Sequence, residues 1–136
     1  MTIEMKQPGN DWLQIVRSNG TPEFAKSFAP DVTLQASVLN KPLAGVDQIG
    51  AFFAATSKMY ERLAFVAETV DGPLTVLEWE GSTGGIPVFG ATLVRRDTRG
   101  RIASVQLFHS PLSVVHQFST DLAARLSDNL GREHFA

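Results

Sequence analysis

Between residues 63 and 109 the chain carries four apolar-rich runs separated by three short glycine-containing breaks, and this segment constrains the fold more than any other. The runs cover 63–70, 74–80, 86–96 and 101–109, and the breaks read "DGP" (71–73), "GSTGG" (81–85) and "DTRG" (97–100). Connections this short join antiparallel neighbours, because a parallel crossover needs many more residues. The segment is therefore a four-stranded meander. A sheet with one apolar face has to bury that face against another layer, so the remainder of the chain must supply the cover.

That cover is predicted to be helical. Asn10 or Asp11 caps a helix that puts Trp12, Ile15 and Val16 on one face and stops at Gly20. Thr21 and Pro22 then supply the N-cap and first position of a second short helix. In it Phe24 and Phe28 share a face four residues apart, and Pro30 closes it. A strand over 32–38, a loop "NKPLAG" (40–45) and a helix over 46–60 follow. Ile49, Phe52, Phe53, Thr56, Met59 and Tyr60 fall at helical spacing as a bulky inner face. After Ser110-Pro111 a closing helix carries Leu112, Val115, Phe118, Leu122 and Leu126, with Gly131 near its end. The order α-α-β-α-β-β-β-β-α predicts one α+β domain over residues 1–136, with its core about 10–126. Its N-terminal helices pack in a strongly curved, mostly antiparallel sheet. The result is a cone-shaped cavity with a closing C-terminal helix, suited to a small molecule.

Composition removes several function classes. With 43% hydrophobic and 19% charged residues the chain can build a core. Its net charge is −2, and no Lys/Arg run exceeds Arg95-Arg96, so "RRDTRGR" (95–101) reads as a charged hairpin tip and no nucleic-acid partner is expected. Without cysteine there are no disulfides, thiolate nucleophiles or Cys-based zinc sites. No run approaches the roughly 18 apolar residues of a membrane span, and the N-terminus lacks a signal-peptide core, so the expectation is a cytoplasmic protein without a membrane partner. His109, His116 and His134 are too far apart for a local metal motif, and no phosphate-binding or dinucleotide motif occurs, so no metal or cofactor is expected.

Four stretches in order carry a resemblance. They are "FAPDVTLQAS" (28–37) after two helices, "KPLAGVDQIGAFFAAT" (41–56), "WEGSTGGIPVFGATLVRRDTRGRI" (79–102) and "QLFHSPLSVV" (106–115). Together they resemble the nuclear-transport-factor-2-like superfamily, in its SnoaL-like and ketosteroid-isomerase-like branch, over roughly residues 10 to 126. No single piece is diagnostic; order and spacing carry the likeness. The superfamily includes isomerases, dehydratases, cyclases, epoxide hydrolases and noncatalytic partners, so it does not choose a function. The resemblance puts Ala36 where the isomerases hold a carboxylate base and Trp12 where they hold a tyrosine donor. It puts Phe53 at a supporting tyrosine and Thr92 at a second acid that is kept neutral to donate a hydrogen bond. Every matched acid and phenol is missing, so ketosteroid isomerisation is not expected.

The family register and the period of two sort the strands into faces. Leu77, Trp79, Thr92, Val94, Val105, Leu107 and His109 point inward. Glu78, Glu80, Ser104, Gln106 and Phe108 point outward, and a register error of one would instead bring Glu78 in as the leading base. His109 is then the strongly titratable side chain that reaches the cone, and its ordinary pKa near 6.5 suits acid/base work. Thr92 on the adjacent strand is its candidate partner as an orienting hydroxyl. The plainer alternative makes His109 a satisfied polar residue at a strand end. Trp12, Phe24, Phe28, Ala36, Phe52, Phe53, Leu77, Trp79, Val94 and Leu107 are the candidate ligand-binding positions, with core packing as their alternative role. Three functions stay open. One is an apolar cone that binds a small hydrophobic or aromatic molecule. Another is a cofactor-free lyase, isomerase or cyclase that uses His109. The third is a noncatalytic dimeric assembly module with a filled cavity. Outward Phe108 and Leu93 predict a homodimer through the convex sheet face.

Overall fold

A computed structural model of the chain describes residues 7–135. Helices α1 (Asn10–Arg17) and α2 (Pro22–Lys26) lead into β1 (Phe28–Ala36), a two-residue β2 (Leu43–Ala44) and α3 (Val46–Thr56). The meander follows as β3 (Arg62–Asp71), β4 (Leu74–Thr83), β5 (Ile86–Arg96) and β6 (Ile102–Ser110). Helix α4 (Leu112–Leu130) and a 3-10 turn (Arg132–His134) complete the described chain. The strands form one sheet in the order β2-β1-β6-β5-β4-β3. All three meander pairs are antiparallel, while β1 lies parallel to β6 and antiparallel to β2. The α+β, mostly antiparallel architecture is the expected one.

Alternation builds the concave face. Leu77 and Trp79 of β4, Val88, Thr92 and Val94 of β5, and Val105, Leu107 and His109 of β6 are all buried. Register shifts interrupt the β1–β6, β3–β4 and β5–β6 ladders, and such bulges bend strands. The bent sheet wraps a cluster that joins Trp12 of α1, Phe24 of α2, Ile49, Phe52 and Phe53 of α3, and Phe118, Leu122 and Leu126 of α4.

Four local expectations are corrected. Strand β1 begins at Phe28, not residue 32. Pro30 lies inside it, exposed, where the register to β6 slips between Phe28 and Thr33, so its missing N–H leaves no ladder bond unmade. Phe28 is thus a strand residue, although its ring still meets Phe24, with centroids 4.9 Å apart. Part of the expected loop 40–45 pairs with β1 as β2. Helix α3 stops at Thr56, not residue 60. The N–H groups of Lys58 and Met59 bond to carbonyls three residues back, at Ala55 and Thr56. This tightened turn takes Tyr60 off the helical path. Leu112, at the first position of α4, is 71% exposed, and the buried stripe begins at Val114 instead.

Candidate functional site

A recess of about 280 Å³ lies between α1, the end of α3 and the concave sheet face. Its wall is aromatic and apolar: Trp12, Phe53, Phe65, Trp79 and Leu107. Thr56, Tyr60 and Thr92 add hydroxyl groups, and Arg17, Ser57, Glu61 and Arg62 complete the lining toward solvent. Trp12 reaches it because α1 packs its indole edge-on against Phe53, with centroids 5.5 Å apart. Trp79 is fixed by its indole N–H, which donates to the Thr92 hydroxyl at 3.0 Å. Thr92 therefore orients a wall residue. It pairs in register with Leu107, and no hydrogen bond joins it to His109, so the expected Thr92–His109 partnership is not formed.

His109 is buried behind the recess wall rather than in it. Its Nε2 lies 2.6 Å from the Tyr60 hydroxyl. Its Nδ1 lies 3.4 Å from Ser37 Oγ, and that oxygen also accepts the His109 backbone N–H at 2.8 Å. Tyr60 and the imidazole are nearly coplanar, 7° apart. Trp79 and Phe118 meet the imidazole with centroids at 5.0 and 5.1 Å. Burial in this aromatic box lowers the His109 pKa from 6.5 to about 4, so the ring is neutral at pH 7. Burial likewise pushes the Tyr60 phenol well above its ordinary value. The polar element facing the recess at neutral pH is thus a protonated phenol backed by a neutral imidazole. It can donate or accept a hydrogen bond, and it is a poor base.

The structure gathers only some of the candidate residues. Trp12, Phe52, Phe53, Trp79, Thr92 and Leu107 line the one recess. Leu77 and Val94 line a separate depression on the other side of Trp12. Ala36 borders a third groove with Ser37 and Leu107. Phe24 borders an open groove between α2 and α3, and Phe28 is core. Glu78 is exposed on the outer face opposite Ala91 of β5, as its strand phase predicts. Sequence reasoning missed Tyr60, which helical periodicity assigned to packing. It also missed Ser37 and Arg17, which are remote in sequence from the residues they join, and Glu61 and Arg62, which follow Tyr60 directly in the chain.

Solved structures share this fold. A steroid delta-isomerase from Pseudomonas aeruginosa superposes with a TM-score of 0.76, at 21% identity over 88% of this chain and 89% of that one. An uncharacterised conserved bacterial protein with a cystatin-like fold, from Silicibacter pomeroyi DSS-3, gives 0.77 at 17% identity, covering 85% and 82%. A hypothetical protein with a ketosteroid isomerase-like fold from Catenulispora acidiphila DSM 44928, in complex with trimethylamine, gives 0.59 at 24%, covering 85% and 95%. The chain has the nuclear-transport-factor-2-like fold. No family model matches it, and neither does any curated protein. At these identities the nuclear-transport-factor-2-like fold describes architecture, and function has to come from the recess itself. Among the described residues no helix is long and apolar enough to cross a membrane.

Proposed function

We propose that this protein binds a small, largely apolar or aromatic molecule in the recess, with the Tyr60 hydroxyl as its polar anchor. One observation carries the reading: an aromatic wall converges on a phenol that a buried imidazole holds from behind at 2.6 Å. Ligand sites are typically apolar concavities with a few placed polar groups. Either ring nitrogen of His109 can donate or accept toward its hydroxyl partner, and we assign one of the two neutral tautomers. Ser37 Oγ already accepts the His109 backbone N–H, so its own hydrogen is free to point at Nδ1. The imidazole proton then sits on Nε2 and is donated to the Tyr60 oxygen. The phenol hydrogen is left to point at a ligand acceptor. His109 is a positioning residue in this arrangement. Binding, rather than turnover, is the function assigned, because the position matched to the isomerase base is Ala36 and Tyr60 stays protonated.

The test is calorimetric titration with a bicyclic ketone and its parent hydrocarbon. Tyr60→Phe should weaken the ketone about fivefold, the worth of one ordinary hydrogen bond, and leave the hydrocarbon unchanged. An equal effect on both would remove Tyr60 as anchor. No binding of either by the unaltered protein would end the reading.

A compatible second property rests on the convex face. Phe89 and Phe108 are 49% and 50% exposed there. Ala91 lies opposite Phe108 in the β5–β6 ladder, which brings the two rings to neighbouring positions on one face. An apolar sheet face of this kind favours a twofold homodimer. Light scattering should give twice the chain mass of 14.8 kDa, and Phe108→Lys should give the monomer. A monomer for the unaltered protein at micromolar concentration would rule the dimer out.

A further inference from the structure

We infer that the recess takes an anion: an aryl or alicyclic carboxylate whose apolar body enters between Trp12, Phe53 and Trp79 and whose charged end stays at the rim beside Arg17 and Arg62. This rests on the binding reading above and names the ligand class for that site.

Both arginines line the recess and both are exposed. Arg17 comes from the last turn of α1, and among the described residues it has no ion-pair partner. Arg62 opens β3 and contacts Glu80 at 3.8 Å, with the two side chains 60% and 44% exposed. An exposed pair at that distance contributes little and leaves the guanidinium available. Glu61 is the rim's acidic residue, and its Oε1 accepts the Gly85 N–H at 2.6 Å, directed toward the β4–β5 turn. Among the described residues no other carboxylate lines the recess. The chain as a whole carries −2, yet the recess lining itself carries two arginines to one glutamate, with Glu80 the further carboxylate at 3.8 Å from Arg62.

The position of the charge follows from solvation. Deeper in the recess the polar side chains are the hydroxyls of Thr56, Tyr60 and Thr92. Thr56 already donates to the Phe53 carbonyl at 3.4 Å, and the Tyr60 and Thr92 hydroxyls can bond a neutral acceptor but cannot offset the cost of burying a charge. A carboxylate is tolerated where water and guanidinium groups reach it, and the arginine fork matches carboxylate geometry. The volume of about 280 Å³ falls just under the roughly 300–1,000 Å³ common for ligand pockets. It therefore suits a body of one or two rings with the charged end outside.

Trp12 and Trp79 are the chain's two tryptophans, and both line the recess, so intrinsic fluorescence reports on this site. The full chain would be titrated at low salt with 3-phenylpropanoate and with 3-phenylpropanamide, its neutral counterpart. The carboxylate should bind about fivefold tighter, as expected for partly exposed charge-assisted contacts. The ratio should shrink at high salt and fall to about one in Arg17→Met/Arg62→Met. Equal affinities in the unaltered protein, or a preference that survives in the double variant, would overturn the anion assignment and leave the binding reading in place. No fluorescence response to either compound would overturn both.

Discussion

Gly90→Val should cost about 3 kcal/mol of stability and disorder the recess wall, at the upper end of overpacking effects. Gly90 of β5 lies across from Trp79 of β4 and His109 of β6. A side chain there would overlap the Trp79 indole and the Phe108 carbonyl oxygen. Neither can yield cheaply. The carbonyl belongs to a strand paired on both sides, with β1 and with β5. The indole is 4% exposed and donates the buried hydrogen bond to Thr92, whose loss would add to the cost. Glycine at this position is therefore a slot for a ring, and the slot sets where Trp79 meets Tyr60 and His109. Gly84, in the β4–β5 turn, is the control. A Cβ there meets nothing within 4 Å, but φ is +56°, so Gly84→Ala should cost only about 1 kcal/mol of backbone strain. Urea unfolding would measure both, and near-ultraviolet dichroism would report the indole. A Gly90→Val protein within 1 kcal/mol of the parent would refute the slot.

The meander was legible because two local signals agree over it: glycine turns and alternating burial. The inward phase of Trp79, Thr92, Leu107 and His109 follows from that alternation together with the family register. Element ends were less legible where punctuation and packing conflict. Pro30 reads as a stop, but an exposed position at a register slip tolerates it within β1. At the far end of α3 neither glycine nor proline marks the boundary, and Met59 and Tyr60 continue the helical spacing. Only the i→i+3 bonds after Ala55 break it.

The site was legible in one half. His109 stood out through strand phase and chemistry, yet its contact with the recess runs through Tyr60, 49 residues away. Ser37, which satisfies the other side of the ring, is 72 residues away. Arg17 and Arg62 meet one recess from α1 and β3. No spacing rule links such pairs, because the curvature that joins them comes from bulges and helix packing. The sequence resemblance to isomerases implied site positions at Ala36, Trp12, Phe53 and Thr92. Of these, Trp12, Phe53 and Thr92 do line the recess, while Ala36 borders the neighbouring groove.

Between pH 6.5 and pH 4 the protein should lose about 3 kcal/mol of stability through one side chain, and His109→Gln should remove most of that loss. His109 is 7% exposed, and burial lowers its pKa from 6.5 to about 4. Its neighbours are the Tyr60 hydroxyl, the Ser37 hydroxyl and the rings of Trp79 and Phe118, and none of them supplies negative charge to an imidazolium. The unfolded chain protonates this histidine near 6.5, the folded chain only near 4. Between those values the unfolded state binds more protons, so acid favours unfolding. The contribution is complete above pH 6.5, declines as pH falls, and has gone once pH passes below the folded value. A gap from 6.5 to about 4, at roughly 1.4 kcal/mol per pH unit, gives the expected 3 kcal/mol. Glutamine retains hydrogen-bonding capacity toward Tyr60 without a titrating proton, and His116 and His134 are common to both proteins and cancel. Urea unfolding of both at pH 7, 5.5 and 4.5 would read the difference directly. Parallel stability profiles would refute the linkage, as would an NMR titration placing His109 above pH 6. A neutral His109 is also what the Tyr60 anchor requires. The same titration therefore tests whether the ring behind the recess is neutral at the pH where the anchor works.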